Sequence, residues 1–257
     1  MSTTKIKQRL KKLTKDGTYN LIDNNIGKLI VEDNVTAEIL ISEKKSAFIN
    51  ITIGKNASLR IINLVKEASA DFEVAVMNNG ELRLLNFINF KENFSQSIKI
   101  NLLAENASAN IYSFDSNEKK FNHDYRFRID HLVPRTKSMI KNYFIAFNSQ
   151  ISGLFSSHIA KDCVNSEAFQ QTKGIVIGDK SAISAMPELL IDCFDVKASH
   201  GLAIGKLSDD ILFYAMSRGL TELECLKMII SGYLSPLIAE INDQSFKDII
   251  TNIFSIN

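Results

Sequence analysis

The chain of 257 residues has no tryptophan, three prolines, three cysteines and a formal charge of only +1. Each shortage excludes something. With 30 Lys+Arg against 29 Asp+Glu the whole-molecule field is weak, and no basic stripe of the kind that tracks a phosphate backbone stands out. The one basic cluster, Lys5, Lys7, Arg9, Lys11, Lys12 and Lys15, reads as the solvated face of a short segment. Cys163, Cys193 and Cys225 are odd in number and far apart, which is neither a disulfide framework nor the C-x-x-C spacing of zinc and redox sites. No apolar run approaches the roughly 18 residues of a membrane span, and lysines stand where a signal peptide has its apolar region. A cytoplasmic protein that binds neither nucleic acid nor membrane is expected. G-x-S-x-G, H-E-x-x-H and G-x-G-x-x-G are all missing. Residues 174–181 have the glycines of a phosphate loop, but no Gly-Lys step, and they lead into a β pattern instead of a helix.

What is present is strand. From about Leu21 to Leu207, short runs of Ile, Val, Leu and Phe alternate with Asn, Gly, Ser and Asp. Ser58-Leu59-Arg60-Ile61, Glu81-Leu82-Arg83-Leu84 and Ala109-Asn110-Ile111-Tyr112 alternate with period two, the mark of a half-buried β-strand. A polar turn, a small residue and an alternating strand recur after Asn34, Asn56, Asn79 and Asn106, with an echo at residues 179–183. That interval suits the roughly 20–30-residue coils of a solenoid, in which each coil buries its inward side chains on its neighbours. A β-sandwich competes, since its strands also recur between turn signals. The N-x-[ST] triplets at Asn34, Asn50, Asn56, Asn93 and Asn106 read as turn chemistry, because Asn tolerates the left-handed region.

The two ends differ from the middle. Ile6, Leu10 and Leu13 would share one face of a short helix over residues 4–15. From Ser208 the pattern is helical again: Ser208 as N-cap, Asp209 and Asp210 in the first turn, Arg218 in the last and Gly219 just beyond it. Thr221-Glu222-Leu223-Glu224 has the form of a capping box. Leu223, Leu226, Ile230 and Tyr233 give the helix that follows one apolar face, Pro236 interrupts it, and a last amphipathic segment runs from about Ser245 to Phe254. The expected organisation is an N-terminal helical segment (1–18), a β core (19–207) and a C-terminal helical subdomain (208–257).

Candidate site residues are few. His123 and His131 fall on one face of an alternating segment, with Asp124, Arg126, Arg128 and Asp130 on the other. At ~3.4 Å per residue the two histidines lie about 27 Å apart and cannot share a metal ion. Cys193 continues an inward set with Leu189 and Ile191, Cys225 lies on a helix, and Cys163 sits in a polar loop where exposure is expected. His200 stands between the last strand and the first C-terminal helix and is expected in a turn, where functional groups concentrate.

The C-terminal half carries a resemblance. Gly153-Leu154-Phe155, Gln171, Ile175-Val176-Ile177-Gly178, Pro187-Glu188-Leu189-Leu190-Ile191, Asp195-Val196-Lys197, Ser199-His200-Gly201, Gly205-Lys206-Leu207, Leu212-Phe213-Tyr214 and Ser217-Arg218-Gly219 are similar to the signature of the SufB/SufD family, over about residues 120–235. The Ser-His-Gly tripeptide resembles the SufD-like branch, and Thr172 stands about where the SufB-like branch has a functional cysteine. Ala198 departs from a position that is often cysteine, and the stretch ahead of the β pattern is short for the family.

The resemblance implies a right-handed parallel β-helix with helices at its ends, and a scaffold subunit, not an enzyme, of the SUF iron–sulfur cluster assembly system. It implies pairing with a SufB-like paralogue, or a second copy, through the β-helix. A SufC-like ABC ATPase would bind the C-terminal helices, with Leu212, Phe213, Tyr214, Ser217, Arg218 and Gly219 in the contact. ATP-driven dimerisation of that ATPase would move the pair and open the place of cluster assembly. His200 becomes an interfacial iron or cluster ligand, as imidazole serves in Rieske centres. No cofactor would be held tightly by this chain alone, FAD has no assignable residue in it, and a cluster would be carried transiently at a subunit interface. Alternatives are a carbohydrate-active enzyme on a β-helix, or a homodimeric structural β-protein.

Overall fold

The computed structural model describes residues 9–22, 25–118, 120–207 and 209–254. Sixteen strands precede three helices: β1 (Arg9–Leu13), β2 (Gly17–Ile22), β3 (Ile26–Val31), β4 (Thr36–Ser42), β5 (Ala47–Ile53), β6 (Ser58–Val65), β7 (Ala70–Val76), β8 (Glu81–Ile88), β9 (Phe94–Leu102), β10 (Ser108–Glu118), β11 (Asn122–His131), β12 (Lys137–Phe147), β13 (Gln150–Ile159), β14 (Ser166–Ile177), β15 (Ala182–Ile191), β16 (Val196–Lys206), α1 (Asp209–Ser217), α2 (Glu222–Ile238) and α3 (Gln244–Phe254). Odd-numbered strands form one eight-stranded sheet and even-numbered strands another, each in the order of the chain. All pairing is parallel. The chain therefore winds as a parallel β-helix of two-strand coils, and the expected solenoid prevails over the sandwich.

The two sheets bury different faces. In β7, Ala70, Phe72, Val74 and Val76 point into the lumen while Asp71, Glu73 and Ala75 face outward. In the even sheet β4, β6 and β8 carry unbroken buried runs, such as Leu84 to Ile88 in β8, because their outer face is covered too. Leu40, Ile62, Leu64, Leu85, Phe87, Phe114 and Ile145 pack there against Leu234, Leu237, Ile241, Phe246, Ile250 and Phe254. A sheet covered on both faces needs continuous apolar sequence, and a sheet solvated on one face needs alternation.

The corners explain the repeat. Asn34, Asn56, Asn79 and Asn106 all adopt the left-handed region, with φ between 53° and 62°, which Asn enters at little steric cost. Their side chains form a ladder: the Asn56, Asn79 and Asn106 amides donate to the carboxamide oxygen one coil below at 3.1, 2.8 and 3.1 Å. The steps of 22, 23 and 27 residues show the coils lengthening toward the C-terminus. The echo at residues 179–183 lies at the opposite corner, where Gly178 takes φ 85°.

The expected N-terminal helix is corrected. Residues 1–8 lie outside the described residues, and Arg9–Leu13 is a strand paired with β3. Leu13 is buried and Leu10 is not. A two-sided strand on the first coil thus overrides a helical spacing that had no helix partner. Gly17 and Thr18 likewise open β2 instead of closing a helical segment.

At the other end Thr221 and Glu224 form the expected reciprocal capping box. Pro236 does not break α2 but sits in its last turn, before the cap at Ala239. The buried face of α2 is Cys225, Leu234 and Leu237, and Leu223 is half exposed instead of inward. The loop into α3 is held by Glu38, whose carboxylate oxygens accept the amides of Asn242 at 2.9 Å and Asp243 at 2.8 Å. Ser208 lies outside the described residues, so its expected capping role does too.

Candidate functional site

In the last coil the pattern of burial fails. Alternate residues of β13 are buried, whereas no residue of β15 or β16 is. Each of these strands has a sheet neighbour on one side only, β13 and β14 respectively. Met186, Leu190, Ile191, Phe194 and Leu202 are exposed, Phe194 completely so. Leu189 and Ile191, expected inward, are here half-exposed and exposed, because no further coil covers them. A parallel edge with unpaired backbone groups and a row of apolar side chains is a template for another chain.

His200 lies on this edge. It is not in a turn: Val196–Lys206 is one strand, and His200 stands in its middle, exposed, opposite Gln170 of β14. Gln170 is buried and donates to the Ser157 hydroxyl at 2.9 Å and the Glu188 carbonyl at 3.1 Å, so the layer under His200 is fixed. A Cβ built on Gly201 meets nothing within 4 Å, which leaves the imidazole free to approach a surface laid on the edge. Among the described residues no group of three or more His, Cys, Asp or Glu is brought together for a metal ion. Within β16, His200 is the one His, Cys, Asp or Glu.

Thr172 is two residues along from the partner of His200 on β14, opposite Leu202. It points into the lumen, buried, and accepts from the Asn142 amide at 3.1 Å. Asn63, Asn86, Ser113, Asn142 and Thr172 stand in register on successive coils. They make a polar column through the core. The Ser113 hydroxyl and the Asn142 carboxamide oxygen have no hydrogen-bond partner there.

The second expected surface is α1. Phe213 and Tyr214 are exposed at 74% and 62%, a helix face without cover among the described residues, and Leu212 is half-buried. Ser217, Arg218 and Gly219 instead finish the helix. The Gly219 amide donates to Met216 and the Leu220 amide to Ala215, with Gly219 at φ 90°, a Schellman ending. The Ser217 hydroxyl donates to the Tyr214 carbonyl at 2.7 Å, and the Arg218 guanidinium lies 5.3 Å over the Tyr214 ring. Met216, also exposed, completes the apolar face and was not among the residues expected in it.

The other histidines are interior or structural. His123 Nδ1 and the Tyr125 hydroxyl meet the same Asp115 oxygen at 2.8 and 2.7 Å, all three side chains being buried. Burial, followed by the charge and hydrogen bond of Asp115, pushes the Tyr125 hydroxyl well above its usual range. His131 bonds Thr136 and Ser138 through its two nitrogens, and burial lowers its pKa to about 4. His158, which sequence reasoning passed over, has Asp130 and Asp192 each at 3.1 Å. These three come from successive coils, and only coil geometry reveals them. Burial works to raise the pKa of Asp130, but the Arg128 hydrogen bond and charge, then His158, bring it below the ordinary value. Cys163, expected to be exposed, is buried at an inward corner. Cys193, expected to be buried, is only half-buried, and Cys225 is buried on the inner face of α2.

Comparison with known proteins agrees with this architecture. The family model described as SUF system FeS cluster assembly, SufBD core domain, matches residues 22–233. An iron–sulfur cluster assembly protein SufD of Bacillus subtilis is 21% identical over 235 residues, 91% of this chain and 49% of that one. The SufD of Escherichia coli is 27% identical over 90 residues, 35% of this chain and 21% of that one. An iron–sulfur cluster assembly SufBD family protein of Methanothermobacter thermautotrophicus is 35% identical over 91 residues, 35% of this chain and 22% of that one. The chain spans about half the length of these relatives, or less.

Proposed function

The chain belongs to the SufBD family of iron–sulfur cluster assembly proteins, and on that footing we propose that it is a non-enzymatic scaffold subunit of a cytoplasmic SUF assembly complex. The observation that carries this reading is the uncovered last coil. Its exposed apolar side chains and two unpaired strand edges suit continuation of the parallel sheets into a partner. A SufB-like paralogue, or a second copy of this chain, lays its own end coil against β15 and β16. His200, mid-strand on that edge, then faces the seam.

At the seam His200 gives one imidazole to the substrate, an iron ion or a nascent cluster, and the remaining ligands come from the partner. The scarcity of ligands in this chain suits a cargo that must leave. Ala198, also exposed on β16, adds none. The apolar face of α1, Phe213, Tyr214 and Met216, docks a SufC-like ABC ATPase, and nucleotide-driven movement of that ATPase is passed to the solenoid through α1 and α2. No helix among the described residues is long and apolar enough to cross a membrane, in keeping with a complex that works in the cytosol.

Co-expression with the SufB-like and SufC-like proteins of the same genome, followed by size-exclusion chromatography, tests the reading. A ternary complex supports it. Elution of this chain alone at every concentration tried would sink it.

A further inference from the structure

Cys163 and Cys193 belong to neighbouring coils. The loop carrying Cys163 and the loop carrying Cys193 leave from one paired position, Ile159 opposite Ile191, and arrive at another, Ser166 opposite Val196. Coil-to-coil backbone bonds hold both ends. The Asp192 amide donates to the Ile159 carbonyl at 2.9 Å, and the Asn165 amide donates to the Asp195 carbonyl at 2.7 Å. Stacked strands lie about 4.8 Å apart, within the roughly 4.4–6.8 Å Cα separation that a disulfide spans.

The surroundings give the two thiols different roles. Cys163 is buried in a small cluster with Ile159 and Ala168, against which Cys193 packs together with Ala160 and Val196. The Cys163 thiol donates to the His131 carbonyl at 3.4 Å. That bond is weak, so rotation of the side chain toward the next coil gives up little. Burial raises the Cys163 pKa and the nearby charge of Cys193 raises it further, so Cys163 rests as the thiol. Cys193 is the member that solvent reaches.

We propose that Cys163 and Cys193 form a thiol pair that closes to a disulfide when a small-molecule disulfide reaches Cys193. The Cys193 thiolate attacks one sulfur of the incoming disulfide, whose S–S bond breaks and releases one small thiolate. Cys163 then loses its proton and attacks the Cys193 sulfur of the mixed disulfide, releasing the second small thiolate. The two cysteines lose two electrons, the small disulfide gains them, and the two cysteine protons end on the two released thiols. The bond staples the terminal coil to the coil beneath it, at the edge proposed for pairing. It does not depend on that pairing, since both residues are in one chain.

Oxidised glutathione added to the reduced, isolated full chain is the probe, followed by alkylation and peptide mapping by mass spectrometry. Two of the three thiols should be lost together, with a linked peptide joining Cys163 to Cys193 and Cys225 still alkylated. Cys225→Ser should behave the same way. Cys163→Ser should stop at a stable glutathione adduct on Cys193. A stable adduct on Cys193 in the unaltered chain, a link between two Cys193 residues of different chains, or three intact thiols would each overturn the proposal.

Discussion

Single side chains set the pH response and the fit of the core. His131 is fully buried, and its pKa is about 4 against 6.5 in the unfolded chain. Above pH 6.5 both states are neutral there. Between pH 6.5 and 4 the unfolded chain binds a proton that the folded chain refuses, so stability falls as pH falls and the loss levels off below about 4. A shift of this size corresponds to roughly 3 kcal/mol. Chemical denaturation of His131→Gln should therefore show a shallower decline than the parent across that window, and equal slopes would discard the assignment. Gly153 acts through space. A Cβ there would stand 2.4 Å from the Phe155 ring, which Phe127 and Phe144 wall in at 5.4 and 6.1 Å between ring centres. Overpacking of this kind costs about 1–3 kcal/mol, so Gly153→Ala should lower the denaturation midpoint at an unchanged m-value, although Gly→Ala alone would help. A midpoint that rises would show that Phe155 can move aside.

Between elements, the C-terminal helices are bound to the solenoid by a carboxylate as well as by apolar surface. Glu38 is 6% exposed, lies 3.7 Å from Arg60 and accepts two amides at the start of the α3 segment. Arg83 pairs with both Glu240 and Glu81. Truncating Glu38 leaves two amides and a guanidinium without their acceptor, at a cost of about 2–3 kcal/mol. Glu38→Ala should speed hydrogen exchange through Gln244–Phe254 more than through β7 or β9; uniform change along the chain would argue against a local clamp. What the sequence made legible at this scale was whatever local chemistry decides. The four corner asparagines, the Thr221–Glu224 box and Gly219 act within a few residues, so their patterns survive reading in one dimension. Arg9–Leu13 was misread because its pairing with Ile26–Val31 is non-local, and three apolar residues at helical spacing say nothing of a strand across the coil. Cys163 was misread for the same reason. Its neighbours are polar, but Asp162-Cys163 repeats the corner step of Asn56-Ala57 and Asn106-Ala107, with Asp162 at φ 65°, and the residue after a left-handed corner turns inward.

The molecule as a whole is a stack whose last coil is left uncovered by the described residues, and this decides why the candidate site was only partly legible. Interior coils declare themselves by alternation, because each strand must bury one face on the coils above and below. The last coil has no coil above it. Its sequence is released from that pattern, so Ser199-His200-Gly201 looked like a turn when it is an edge strand. Edge strands that stay monomeric carry charge, proline or a bulge; β16 has Lys197 and Lys206 toward its two ends and β15 has Pro187, yet the middle of β16 presents Leu202 at 46% exposure directly beyond Gly201. Leu202→Lys adds a charge to an exposed position, so the fold should keep its stability within about 0.5 kcal/mol, while stacking on a partner's edge would require burying that charge. His200→Ala at the same edge changes an exposed residue that makes no side-chain hydrogen bond among the described residues. The two variants should therefore separate assembly from chemistry. With the SufB-like partner present, Leu202→Lys should elute as the free chain, and His200→Ala should elute in the complex but support less cluster formation in cells. If Leu202→Lys associates as well as the parent, the end coil is not the pairing surface, and the role proposed for His200 at that seam falls with it.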